Sequence, residues 1–382
     1  MSEFLSFITN GVMALDWKIL VMWAIGALLI FLAIKKDMEP ALLLPMGFGA
    51  ILVNIPMSGA VETTETGVQG ILQWLFDVGI AASEAMPLLL FIGIGAMIDF
   101  GPLLSNPALL LFGAAAQFGI FMTITLATII APVFGFDMAD AASIGIIGAA
   151  DGPTSILVSQ VLGSKYVGAI AVAAYSYMAL VPIVQPFAIK LVTTKKERTI
   201  HMKYSPASVS KTTRIIFPIA VTIIAGLVAP DSVALVGCLM FGNLIRECGN
   251  LDSLSQTAST AFSNIITLLL GITIASTMKA ENFVDWSTLA IMALGLVAFV
   301  FDTIAGVFFA KVLNIFLPKN KKINPMVGAA GISAFPMSSR VIQKMALKED
   351  NQNHLLMHAA GANVAGQIGS VVAGGLVLSL LS

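Results

Sequence analysis

Apolar runs long enough to cross a bilayer, separated by short polar breaks, dominate the chain. They lie at about 17–35, 40–56, 71–99, 107–133, 165–192, 215–229, 232–249, 261–279, 285–310 and 355–381. A run of roughly 18 or more apolar residues reads as a transmembrane helix, so the pattern predicts about ten of them. Two further segments, 139–163 and 324–345, are apolar but interrupted in the middle. They read as broken or re-entrant helices. The expected fold class is therefore an all-α polytopic membrane protein with two interrupted segments. Composition agrees: only 11% of the 382 residues are charged, against about 25% in a soluble domain.

The first interruption lies within I-G-I-I-G-A-A-D-G-P-T-S-I-L-V-S-Q, residues 144–160. Gly costs roughly 1 kcal/mol and Pro roughly 3 kcal/mol in a helix interior, and Pro153 also removes a backbone donor. In hydrocarbon, freed backbone groups persist only when buried in protein or facing a wet cavity. A carboxylate such as Asp151 adds about 2.5–3.5 kcal/mol on insertion scales. A break and a charge at one point indicate a cation site. The alternative is a loop between two ordinary helices, with Asp151 capping the second.

The second interruption, N-P-M-V-G-A-A-G-I-S-A-F-P-M-S-S-R over 324–340, offers neutral oxygens. Asn324 and Ser333 bring side-chain oxygens, and Gly331 and Pro336 could free carbonyls. Hard cations take oxygen ligands. One carboxylate among neutral oxygens suits Na⁺ better than a divalent ion, and it also suits a proton. Asn324 could equally cap a helix before Pro325. Arg340 needs a cavity, a carboxylate partner or a route to the surface. In the last apolar run, Asn363 and Gln367 stand one turn apart among small residues that allow close helix packing, where their amides could bond across an interface instead. Tyr175 and Tyr177 face different sides of their helix, so at most one meets the site. Asp302 is either intramembrane or near the cytoplasmic end of its helix, and Glu84 and Asp99 flank the third apolar run. The three histidines form no ligand cluster, and Cys238 and Cys248 read as packing residues.

Basic residues set the topology. Lys35 and Lys36, the group Lys195, Lys196, Arg198, Lys203, Lys211 and Arg214, then Lys311, Lys319, Lys321 and Lys322, and finally Lys344 and Lys348 all belong in the cytoplasm by the positive-inside rule. The loop 57–70, with Glu62 and Glu65, then lies outside, as do both termini. The first broken segment enters from outside and the second from inside. A short internal echo aligns I-I-G-A-A-D-G at 146–152 with M-V-G-A-A-G-I at 326–332. Opposite entry of two broken segments is what an inverted repeat requires, and such repeats place ion sites between them and work by alternating access. The chain divides into a first membrane half, 1–192, with helix 17–35 as an addition to the repeat, a basic cytoplasmic loop, 193–214, and a second membrane half, 215–382.

The start, 1–16, lacks the basic region of a secretory signal, so 17–35 reads as a retained helix. A net charge of −1 argues against nucleic acid as a partner. No P-loop, dinucleotide fingerprint or biotin-acceptor stretch occurs. Pumping would need a gradient or a reaction shared with another subunit.

G-A-A-D-G-P-T, Tyr177, N-P-M-V-G-A-A-G-I-S-A-F-P-M-S-S-R-V-I-Q-K and G-A-N-V-A-G-Q together resemble the β subunit of the biotin-dependent, sodium-pumping decarboxylases of oxaloacetate, methylmalonyl-CoA and glutaconyl-CoA. The resemblance spans essentially the whole chain. It implies a membrane subunit that takes carboxybiotin from a partner, decarboxylates it with uptake of a proton, and exports Na⁺. It assigns Asp151, Asn324, Ser333 and Asn363 to Na⁺, Tyr177 and Asp151 to proton transfer, and Arg340 to the carboxybiotin carboxylate. It also implies a carboxyltransferase (α) subunit, a biotin carrier protein and a small membrane (γ/δ) subunit as partners. A homo-oligomer within the complex, lodged in a bacterial or archaeal cytoplasmic membrane, is expected. The compact chain resembles the CoA-ester members more than the oxaloacetate ones. The rival reading is a secondary Na⁺-coupled carrier for a small carboxylate, with no chemistry; it would act without a biotinylated partner. A third reading, a purely structural anchor, leaves an intramembrane Asp151 without a purpose.

Overall fold

Residues 11, 13–36, 40–61, 69–82, 84–202, 209–318 and 321–381 are described by the computed structural model, and all regular structure among them is helical. The readings made at Glu62, Glu65, Lys203 and Lys319, and most of those at 1–16, lie outside the described residues. Among the described residues, six helices are long and apolar enough to cross a membrane, and up to eight when each of two bent pairs is taken as one span. Two expected spans are short as helices: Pro40–Val53 has 14 residues and Val233–Cys248 has 16.

The bends have local causes. The run 71–99 divides into Ile71–Ala81 and Ala85–Met97, which meet at 66°. Glu84 takes a left-handed conformation there (φ 52°), and Pro87 follows in the first turn, the one place where a helix tolerates proline. The run 107–133 is interrupted at Gln117, giving α1 (Leu110–Ala116) and α2 (Phe118–Phe134).

Both interrupted segments are present. The first comprises α3 (Met138–Ile146), a 3-10 turn over Ile147–Ala149, and α4 (Gly152–Val161). It is followed by α5 (Val167–Val192), bent by 70° between Met178 and Leu180. After the 31-residue α6 (Trp286–Phe316), about 46 Å long at 1.5 Å per residue, the second segment comprises the short α7 (Pro325–Ala329) and α8 (Met337–Glu349). The last helix is α9 (Leu356–Leu381). The central helix α6 packs against α1, α2, α5 and α7, while α9 packs against α1, α4 and α8.

Hydrophobicity alone does not join helices in lipid, so small residues and close backbone approach carry the packing. A Cβ at Gly366 of α9 would stand 2.1 Å from the Gly331 carbonyl oxygen, and one at Gly331 would stand 2.4 Å from that of Phe112 in α1. Bare backbone at both positions lets three elements meet at the second break.

The basic central loop is tied to the second segment rather than free. Arg198 pairs with Glu349 at 2.8 Å, His201 with Asp350 at 2.8 Å, and Lys311 with Glu197 at 3.0 Å. The carbonyls of Arg198 and Ile200 accept from the Asn324 amide at 2.8 and 2.9 Å, and from Asn353 at 3.2 and 3.4 Å. Thus residues 197–201 tie together one end each of α5, α6 and α8. The Gln352 amide and the His201 ring hold the Asp350 carboxyl below its ordinary range.

Candidate functional site

Ala150 adopts a left-handed conformation (φ 53°) and Asp151 an extended one, which stops the first segment and starts α4. Gly152 and Pro153 then occupy the first turn, where a missing amide donor costs little. Asp151 does cap α4, as the plainer sequence reading had it: its Oδ1 accepts from the Thr154 amide at 3.4 Å. Yet its side chain is also the focus of a buried polar cluster. Oδ2 accepts from Thr154 Oγ1 at 2.8 Å, from Ser370 Oγ at 2.9 Å and from Gln367 Nε2 at 3.3 Å. Asp151 is only 3% exposed. Carboxylate and cap are thus one residue doing two things.

Ser333 joins the second break to the first. Its amide and its hydroxyl both donate to the Ala149 carbonyl, at 3.1 and 2.8 Å, two residues before Asp151. Asn363 donates to the Ile332 carbonyl at 2.7 Å. Its Oδ1 is buried with no hydrogen-bond partner. A buried amide oxygen left unmatched is costly unless something satisfies it, and a cation would. Three residues expected at the site, Asp151, Ser333 and Asn363, therefore frame the junction of the two breaks.

Asn324 is placed differently. Its Oδ1 accepts from the Met326 amide at 3.1 Å, capping α7, and its Nδ2 is held by the central-loop carbonyls. It lies at the start of the second segment and makes no hydrogen bond to Asp151 among the described residues. Arg340 lies in the first turn of α8, exposed, with no ion pair among the described residues. It follows Ser333 by seven residues, across the non-helical stretch 330–336.

Of the two tyrosines, Tyr175 meets Asp151. A Cβ added at Gly152 would stand 2.3 Å from its ring, and its buried hydroxyl has no partner. Tyr177 points elsewhere and donates to the Met292 carbonyl of α6. Only one tyrosine faces the carboxylate, as helical spacing requires, but it is not the one the family resemblance selects.

Sequence reasoning overlooked Thr154 and Ser370. A signal for Ser370 was present: Asn363, Gln367 and Ser370 fall at i, i+4 and i+7, one polar stripe on an apolar helix. Gln185 went unremarked too. It donates to the Ala329 carbonyl, freed where α7 ends, at 2.9 Å and to Ser338 Oγ at 2.7 Å.

The cluster offers one carboxylate and several hydroxyl, amide and carbonyl oxygens. No group of three or more His, Cys, Asp or Glu that could hold a metal exists among the described residues. That donor set fits a monovalent hard cation, not a divalent or transition metal.

Comparison with known proteins agrees. The family model for the Na⁺-transporting oxaloacetate decarboxylase β subunit matches residues 18–381. The chain is 46% identical to the methylmalonyl-CoA decarboxylase subunit beta of Propionigenium modestum, over 97% of each chain. It is 45% identical to the glutaconyl-CoA decarboxylase subunit beta of Acidaminococcus fermentans, covering 97% of this chain and 96% of that one. To the oxaloacetate decarboxylase beta chain of Klebsiella pneumoniae it is 43% identical over 96% of each. These matches favour the decarboxylase reading over the carrier, and the chain, a multi-pass membrane protein, belongs to the β-subunit family of the Na⁺-transporting decarboxylases.

Proposed function

We propose that this chain is the carboxybiotin decarboxylase and Na⁺ channelling subunit of a biotin-dependent decarboxylase complex in a bacterial or archaeal cytoplasmic membrane. The observation that carries the reading is a single buried carboxylate, Asp151, ringed by neutral oxygens where two interrupted helices meet. A carboxyltransferase subunit and a biotin carrier protein deliver carboxybiotin to the cytoplasmic face, and a small membrane subunit completes the complex. Arg340 receives the carboxylate, since a planar guanidinium matches it with two parallel hydrogen bonds. The N–C bond of carboxybiotin breaks, CO₂ leaves, and the biotin nitrogen takes up one proton.

Asp151, Ser333 and Asn363 hold Na⁺, and Asn324 lies where the ion enters. The N-terminal end of α4 adds a positive dipole that favours a negative charge on Asp151. Asp151 passes the proton with Tyr175 as the neighbouring hydroxyl, and Tyr177, which the resemblance puts on this path, holds the Met292 carbonyl instead. The two halves, 1–192 and 215–382, act as inverted repeats whose relative motion exposes the site to either side in turn.

The test is reconstitution of the avidin-purified complex into liposomes and assay of radioactive Na⁺ uptake with oxaloacetate, methylmalonyl-CoA and glutaconyl-CoA. Uptake that depends on CO₂ release and stops when avidin occupies the biotin is the expected result. Na⁺ movement by the isolated chain with a carboxylate, without CO₂ release, would return the carrier reading.

A further inference from the structure

A second buried carboxyl lies behind the first break. Asp302, midway along α6, is 0% exposed. Its two oxygens are wedged between two glycines: a Cβ at Gly119 of α2 would stand 2.4 Å from Oδ1, and a Cβ at Gly148, in the turn before Asp151, would stand 2.7 Å from Oδ2. The Gly119 amide at the start of α2 faces the carboxyl, the Ile120 amide is taken by the Gln117 carbonyl at 3.2 Å, and neither Oδ atom is hydrogen-bonded. A residue serving only as a helix cap would close those bonds. The hydroxyls of Thr123, one turn along α2, and Thr303, next on α6, are also buried without partners.

No cation balances Asp302 among the described residues. Of the elements packed on α6, helices α1, α2 and α7 and the 147–149 turn carry no titratable side chain. Helix α3 brings Asp140, engaged by Ser164 at 2.8 Å and Lys165 at 3.6 Å. Helix α5 brings Tyr175, Tyr177 and, at its far end, Lys190, and α6 itself has Lys311, paired with Glu197. Asp151 follows Gly148 by three residues, so the two carboxyls flank one short turn. Two carboxylates in one low-dielectric region repel each other more strongly than they would in water. The helix N-terminus of α2 lets Asp302 carry a negative charge once the other is neutralised, and it disfavours a metal ion there.

We propose that Asp302 is a proton-binding site linked to the cation site: it holds a proton while Asp151 stands as a bare carboxylate, and releases that proton to water when Na⁺ binds Asp151. The inference rests on Na⁺ binding at Asp151. Linkage is reciprocal, so protonation of Asp302 weakens Na⁺ binding by the same factor by which Na⁺ promotes release. A proton returning to Asp302 from the cytoplasm therefore helps expel Na⁺ on the far side.

The experiment uses the purified complex in weakly buffered detergent without substrate. Proton release on adding NaCl is read with a pH-indicator dye, and Na⁺ binding is read separately as thermal stabilisation, with choline chloride as the control. Wild type should release about one proton per chain. Asp302→Asn should still be stabilised by Na⁺ and should lose most of that release; Asp302→Ser, which can bond to its own helix backbone, is read in the same way if the Asn variant does not assemble. Undiminished release from an Na⁺-stabilised variant, or wild type that is stabilised without releasing protons, overturns the proposal. Absence of Na⁺-specific stabilisation in wild type would instead remove the Asp151 reading beneath it.

Discussion

Ser333 reaches across to Ala149 with two donors, its amide at 3.1 Å and its hydroxyl at 2.8 Å. These residues are 184 positions apart, one in each interrupted segment, and both are removed from regular helix. Each break thus supplies what the other lacks: a freed carbonyl on one side and freed donors on the other. The proposed cation site is consequently complete only while the two segments are docked.

Ser333→Ala separates the two donors. The amide bond persists, so the segments stay docked, while a hydroxyl beside Asp151 is lost. A single hydrogen bond is worth about 0.5–1.5 kcal/mol, or more beside a charge, so the half-saturating Na⁺ concentration should rise roughly fivefold to tenfold. Turnover at saturating Na⁺ should change less. Steady-state decarboxylation across an Na⁺ series checks this, and an unchanged Na⁺ dependence would remove Ser333 from the site.

Asp151→Asn preserves shape and can still cap α4, since Asn is as good a cap as Asp. It removes the only charge in the cluster of Thr154, Ser333, Asn363, Gln367 and Ser370. Losing one member of a buried charged pair costs about 2–5 kcal/mol, so Na⁺-stimulated decarboxylation should fall by about a hundredfold or more. The variant should assemble normally on gel filtration. Full retention of Na⁺ stimulation would sink the assignment.

The two tyrosines can be separated by removing one oxygen at a time. Tyr175 packs on Gly152 with an unbonded hydroxyl, whereas Tyr177 holds the Met292 carbonyl. Tyr177→Phe deletes a hydrogen bond that ties α5 to α6 and should lower the melting temperature as well as activity, by about 0.5–1.5 kcal/mol in stability. Tyr175→Phe removes a hydroxyl with no partner, so stability should hold, and any change should appear in the Na⁺ dependence or pH profile alone. Equal loss of stability in both variants would contradict this division.

The architecture was legible because spanning helices and their breaks are written in composition. Asp151-Gly152-Pro153 in an apolar run has no other easy reading, and the second break followed from Gly331 and Pro336. The bend after Met178 had an unused signal in Pro182, which has no amide to give the Met178 carbonyl one turn back, whereas the interruption at Gln117 was not legible, since no residue there forbids helix. The site was legible along the chain but not across it. Thr154 follows from Asp151 as a capping neighbour, and Ser370 from its stripe with Asn363 and Gln367. That Asn324 spends its amide on Arg198 and Ile200, or that Tyr175 rather than Tyr177 faces Asp151, depends on helix rotation, which apolar sequence barely constrains when every face is greasy.

The loop clamp has its own pH signature. Asp350 is held below the ordinary carboxylate range by the Gln352 amide and His201. A carboxyl depressed on folding contributes stability above its unfolded value, about 3.9, and loses it as pH falls through the folded value. Hydrogen-exchange protection of residues 194–202, corrected for intrinsic rates, should therefore stay level from neutrality to about pH 4 and decline below that. Asp350→Asn should show the lower protection throughout and no such decline. A wild-type decline beginning well above that range would assign the clamp to another group.

Gly331 and Gly366 test whether the site needs close backbone contact or only the right ligands. A Cβ at Gly366 would meet the Gly331 carbonyl oxygen at 2.1 Å, and one at Gly331 would meet the Phe112 carbonyl oxygen at 2.4 Å. Neither obstacle is a flexible side-chain end, so α9 or α1 must shift. Overpacking of this kind costs about 1–3 kcal/mol. Here the shift also displaces Asn363, Gln367 and Ser370 from Asp151, because all three ride on α9 with Gly366. Gly366→Ala should therefore lower the melting temperature and abolish its rise with Na⁺ together, although no ligand has been changed. A variant that melts lower but keeps the full Na⁺-dependent rise would show that the ligands tolerate the shift and that the three-way contact serves stability alone.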